Sequence, residues 1–196
     1  MSLHHTLVAV LVVTAAASVP SAVLACDECE GKKNKSQWQA VSTQVIQASP
    51  EQVMAVITDF NQWPEWTAWS YERDPDGEWS FEGQPGTVGY GMTWDGKELG
   101  KGSMELTEIR SDGLDFDLFF GRSKKANKGS FSLAEADDGT VVTWTSSGPL
   151  GLVGRLFRRS IEEAVSADFA VGLTSLEERV EASVAVDEPQ EMIPTW

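Results

Sequence analysis

The residues able to do chemistry are unevenly placed. His4 and His5, the only histidines, open the chain, and Cys26 and Cys29, the only cysteines, follow closely. From Trp38 onward there is neither imidazole nor thiol. That body is excluded from His-based nucleophile triads and from the common His-ligated zinc sites, and Ser or Thr without a neighbouring base is a weak nucleophile. Cys26 and Cys29 have the C-x-x-C spacing, but no strand pattern precedes them and a Gly- and Lys-containing stretch follows. A thioredoxin-like role is therefore disfavoured, while a disulfide in an oxidising compartment stays open. No phosphate-binding glycine loop occurs in a fitting context. What remains is proton transfer by a carboxylate or phenol shielded from water, which burial can hold protonated near neutral pH. Asp168, beside Phe169 on an amphipathic helical pattern, is the candidate, followed by Glu105 and Tyr90. An ordinary hydrogen-bonded or solvated role for Asp168 is the competing expectation. No metal and no cofactor are expected.

The formal charge of -15 opposes nucleic-acid binding, because a binder must neutralise phosphates with clustered cations. Ten of the fifteen Lys and Arg nevertheless gather in three clusters: Lys32, Lys33 and Lys35; Arg122, Lys124, Lys125 and Lys128; and Arg155, Arg158 and Arg159.

Residues 1–25 contain no Asp, Glu, Lys or Arg, and the apolar run from Leu7 to Val19 is short for a membrane span, so the segment reads as an export signal or membrane anchor. Val23, Leu24 and Ala25 precede Cys26 as in a bacterial lipobox, which would lipidate Cys26, although Leu24 departs from the usual residue there. Ordinary cleavage after Ala25 is the other route. The expected location is periplasmic or on the outer face of a bacterial membrane, with residues 26–37 as a tether and 185–196 as a disordered tail.

Trp38 to Gln47 reads as a strand. Ser49, Pro50 and Gln52 form an S-x-x-Q helix start, followed by the stripe Val53, Met54, Val56, Ile57 and Phe60. Pro64, in the run NQWPEWTAW from Asn61, ends that helix. Seven alternating segments are then expected between Gly77 and Gly148, among them Trp79 and Phe81, Val88 to Trp94, Met104 and Leu106, Leu114 to Phe120, Phe131 and Leu133, and Val142 and Trp144, each with period two. Asp95-Gly96, Asp112-Gly113 and Asp138-Gly139 supply hairpin turns. Gly89 and Gly91 would ease a bend. A last helix runs from about Ile161 to Val180. One helix about 10 Å wide cannot roof strands spaced about 4.8 Å apart, so the sheet is expected to curl around a cavity.

Several stretches carry a likeness to a known family: Ala48-Ser49-Pro50-Glu51 with Val53, Thr58-Asp59-Phe60, Trp63-Pro64-Glu65-Trp66, GKGSMELTEI from Gly100, DGTVVTW from Asp138, and Asp168-Phe169 with Gly172-Leu173. Over roughly residues 38 to 182 the chain resembles the START-like (SRPBCC) superfamily, and more narrowly its polyketide cyclase/dehydrase and lipid-transport branch. The resemblance implies an α+β helix-grip fold over residues 38–184, with a curled antiparallel sheet wrapped around a long C-terminal helix and a small N-terminal helix pair. It also implies a cavity for a hydrophobic small molecule or lipid, and no particular reaction. The expected lining is Trp79, Tyr90, Met92, Trp94, Met104, Leu106, Phe116, Phe120, Phe131, Trp144, Phe157, Phe169 and Leu173. Leu152, Arg155, Leu156, Arg158 and Arg159 mix apolar and cationic side chains, which suits either a membrane-facing gate or a plain cap on the core. A carrier or sensor is the first expectation, a cofactor-free cyclase or dehydratase the second, and a structural partner with a filled interior the third. Oligomeric state is not encoded in any pattern found.

Overall fold

The computed structural model describes residues 36–187. The expected export segment, Cys26, the tether through residue 35 and residues 188–196 lie outside the described residues. In chain order the elements are β1 (Gln37–Ile46), α1 (Pro50–Ile57), α2 (Trp63–Trp66), β2 (Glu78–Glu82), β3 (Gly91–Asp95), β4 (Lys101–Arg110), β5 (Gly113–Phe120), β6 (Asn127–Ala136), β7 (Gly139–Pro149), a 3-10 turn (Gly154–Leu156) and α3 (Arg158–Asp187). One antiparallel sheet has the order β1-β7-β6-β5-β4-β3-β2. Together with α3 and the small helix pair this is the helix-grip arrangement. Six strands, not seven, lie in the expected interval, and β1 completes the sheet by pairing with β7 from Gln37↔Pro149 to Ile46↔Thr140.

Period-two alternation explains the strands. β7, for example, turns Thr140, Val142, Trp144 and Ser146 inward. The segment around Val88 departs from the expectation: Val88 is exposed and β3 begins only at Gly91, because Gly89 takes a left-handed φ of 88° and turns the chain. Asp95-Gly96 likewise opens a longer connection than a tight hairpin. Buried Asp74 organises it, accepting from the Glu98 and Leu99 amides at 2.8 and 2.9 Å. Those backbone donors hold the Asp74 carboxyl below the usual carboxylate range.

At the start of α1, Ser49 and Gln52 close the expected capping box, and Val53, Val56 and Ile57 are buried. Pro64 does not end α1, which stops at Ile57 with Thr58 as its C-cap; the proline sits in the first turn of a new helix, α2, where its missing amide costs little. The last helix is longer than its apolar stripe predicts, and Ala185 to Asp187, expected in the tail, belong to it. α3 lies along β1, an edge strand. The Gln39 amide donates to Glu162 Oε1 at 3.2 Å and Gln44 Nε2 to Glu177 Oε2 at 2.7 Å, so the helix supplies acceptors to that edge.

The hollow is not roofed by one helix alone. α2 carries Trp63 into the concave face, where its ring lies 5.3 Å from Phe116, 5.9 Å from Phe131 and 5.9 Å from Trp144. The centre expected to be open is thus plugged by a side chain from the short helix.

Candidate functional site

Beyond that plug, towards the end of the sheet where β5 stops and β6 starts, the aromatic side chains form a second and looser group. Trp69, just past α2, is its hub. Its ring centroid lies 6.4 Å from Trp144, 6.3 Å from Trp94 and 6.3 Å from Phe120. Trp94 in turn lies 6.2 Å from Trp79 and 6.1 Å from Phe120, and Trp144 lies 5.7 Å from Trp66. Trp69 and Trp79 are only half-buried and Phe120 is 40% exposed. The stripe of α3 shows the same gradient, since Phe169, Leu173, Leu176 and Val180 are buried whereas Val165 and Ile161, one and two turns nearer this end, are half-buried.

The indole nitrogens separate packing from site. Trp63 Nε1 donates to the Ile57 carbonyl at 3.0 Å. Trp66, Trp79, Trp94 and Trp144 have enclosed Nε1 atoms with no acceptor among the described residues. Leaving one such donor unmet costs about 1–3 kcal/mol, so each of the four is a place where an added acceptor would stabilise the protein. Trp144 is held rigidly, with Phe169 stacked at 4.1 Å and 7° on it and Phe131 at 4.8 Å. Trp94 leans across Gly102, its register partner on β4, and Phe120 faces Gly102 from β5. A Cβ on Gly102 would overlap the Trp94 ring.

The expected lining divides accordingly. Trp79, Trp94, Phe120 and Trp144 belong to this array. Phe116 and Phe131 contact Trp63, and Met92, Met104, Leu106 and Leu173 are buried core. Phe157 is 58% exposed and does not line the interior, and Leu152 and Leu156, each 81% exposed, do not cap the core. Arg155 and Arg159 are exposed, and Arg158 and Arg159 face Glu162 and Glu163 at 3.7 and 2.9 Å. Trp66 and Trp69 were missed as site residues. Their spacing, across the end of a four-residue helix, carries no period from which to infer a face.

The proton-transfer candidates lie away from the array. Asp168 is exposed, in an outer cleft of about 310 Å³ with Glu65, Arg73 and Ser175, because one residue along a helix is a 100° rotation from Phe169. Glu105 is exposed on the outer sheet face beside Ser80 and Thr93. Tyr90 is buried, stacked on Phe60, accepting from Asn61 Nδ2 at 2.6 Å and donating to Asp59 Oδ1 at 3.3 Å. Burial, then the Asp59 charge, pushes its phenol up to about 12. Burial and Glu65 also raise Tyr71, the only other tyrosine. A raised phenol favours the folded state fully below its unfolded value of about 10, and that contribution fades as pH rises from there towards the folded value. Near-ultraviolet absorbance titration should therefore show a phenol step at about 12 in the folded protein. Tyr90→Phe should remove that step; a step that survives the substitution unchanged would contradict the network.

A family model described as polyketide cyclase / dehydrase and lipid transport matches residues 37–181. Among curated proteins none matches the sequence. Similar solved structures include the di-domain ARO/CYC StfQ from the steffimycin biosynthetic pathway (9% identity, TM-score 0.62, 77% of this chain and 53% of that one). TTHA0849 from Thermus thermophilus is 19% identical, with TM-score 0.58 over 74% of this chain and 98% of that one. DynU16, a protein in the dynemicin biosynthetic locus, is 18% identical, with TM-score 0.53 over 74% and 48%. The chain spans about half the length of StfQ and of DynU16. At these identities the likeness concerns the fold.

Proposed function

Because the chain belongs to the polyketide cyclase/dehydrase and lipid transport family, we propose that it binds a hydrophobic small molecule carrying oxygen acceptors at the indole array, as a non-catalytic carrier or sensor. The observation that carries this is the set of four enclosed indole N–H groups without acceptors. An indole N–H only donates, so a plain hydrocarbon would leave the donors unmet, whereas a ketone, ester or hydroxylated ring system would satisfy them while its rings stack on Trp69 and Phe120. Lipids, isoprenoids and polyketide-like molecules fit that description when they carry carbonyl or hydroxyl oxygens. The cyclase alternative lacks support from its candidates, with Asp168 and Glu105 on the outside and Tyr90 tied to Asp59. The N-terminal segment supports a location outside the cytoplasmic membrane.

Fluorene and 9-fluorenone test the proposal, since they share a shape and differ by one carbonyl. Tryptophan quenching should report fluorenone binding about tenfold more tightly, the worth of roughly one net hydrogen bond. Trp144→Phe combined with Trp94→Phe should abolish that preference and keep fluorene affinity. Equal affinity in the unaltered protein, or no binding of either, would refute the proposal.

A further inference from the structure

The end of the sheet beside the array also carries a cluster of exposed apolar side chains. Leu152, Val153, Leu156 and Phe157 are 81, 69, 81 and 58% exposed, on a 3-10 turn and its flanks that project from the end of β7. Four such side chains left in water within six residues form a patch of the kind that marks an interaction surface. Arg155 and Arg159 are exposed among them.

Strand directions fix what else lies at this end. Asp117, Lys128 and Ser147 are register partners across β5, β6 and β7, so the β5–β6 loop emerges beside the end of β7. That loop exposes Arg122, Lys124 and Lys125. The opposite end of the sheet, at the β4–β5 and β6–β7 hairpins, carries Glu108, Asp112, Glu135, Asp137 and Asp138, with Arg110 the cation among them. Across β5 to β7 the sheet is therefore polarised, cationic and apolar at one end and acidic at the other, despite a net charge of -15; on β2 to β4 the same end carries Glu78, Asp95 and Glu98, and Arg159 is paired with Glu163. The described chain also enters here: the Leu150 amide donates to the Ser36 carbonyl at 2.7 Å, which puts residue 36 against the root of the apolar turn. In sequence, Lys32, Lys33 and Lys35 immediately precede this point.

We propose that this end docks on an anionic phospholipid surface, with Leu152, Val153, Leu156 and Phe157 entering the headgroup boundary and Arg155, Arg159 and the 122–125 loop facing lipid phosphates. Apolar insertion plus cationic attraction is what such a surface recognises, at about fivefold in affinity per well-placed cation. A protein partner would not require the cations and the chain entry to share the end with the apolar turn. The surface stands independently of the ligand at the array.

Hydrogen exchange of the full chain on vesicles tests this without relying on total binding, which the N-terminal segment alone can supply. Amides from Leu152 to Arg159 should exchange about tenfold more slowly on phosphatidylcholine vesicles containing phosphatidylglycerol than in solution, while the β6–β7 hairpin stays unchanged. Arg155→Gln with Arg159→Gln, and separately Leu152→Ser with Leu156→Ser, should each erase that protection in protein that still melts cooperatively. Vesicle-bound protein with no protection of this turn would overturn the proposal. So would equal protection on pure phosphatidylcholine, or protection that rises with protein concentration in the absence of vesicles, which would indicate a second copy as the occupant.

Discussion

Trp63→Ala is expected to lower the unfolding free energy by about 4 kcal/mol and Tm by about 10 °C, the largest effect of any single substitution proposed for this chain. Trp63 is fully buried and is the side chain through which α2 holds the concave face together, with its ring 4.8 Å from Phe60 and 5.3 Å from both Trp66 and Phe116. Removing it deletes those contacts, opens a void between α2 and the sheet, and strands the Ile57 carbonyl that its Nε1 meets. Trp63→Phe keeps most of the ring and loses the hydrogen bond, so about 1–2 kcal/mol is expected. Thermal and urea denaturation followed by circular dichroism measure both. A loss below about 1 kcal/mol for the alanine variant would show that the centre of the sheet is not packed around this residue.

The second large effect concerns the array itself. In Gly102→Val the new side chain must take the space of the Trp94 ring, between Trp94 on β3 and Phe120 on β5. Valine suits a strand, so the backbone tolerates it, and a stability loss of about 1–3 kcal/mol from overpacking is expected. Binding should suffer more. With Trp94 displaced, one indole donor and its stacking surface leave the site, and fluorenone affinity should fall at least about tenfold in a protein that still folds cooperatively. Titration calorimetry alongside a melting curve separates the two effects. Unaltered affinity with an altered melting temperature would move the ligand away from the array.

What could be read beforehand followed from periodicity. Alternation of large apolar and polar residues is local information, so the inward faces of β5, β6 and β7 were visible in Leu114 to Phe120, Phe131 to Leu133 and Val142 to Trp144. The Ser49 capping box is equally local. Errors arose where a second influence competed. The left-handed backbone at Gly89 overrode the alternation through Val88. α3 outruns its apolar stripe because helical hydrogen bonding continues through polar residues once packing has nucleated the helix. Asp168 shared a pattern with Phe169 only as a neighbour, and a single step along the helix turned it outward.

The amino-acid sequence by itself determined the family, the helix-grip architecture and the absence of imidazole and thiol from residue 38 onward, because each of these rests on residue identity and short-range spacing. Only the tertiary structure decided which buried indoles meet an acceptor. Trp63 and Trp66 are three residues apart, yet one indole finds the Ile57 carbonyl and the other finds no acceptor among the described residues. That outcome depends on where distant backbone carbonyls arrive when the sheet closes over α2, and no local pattern encodes the position of an acceptor contributed by another part of the chain.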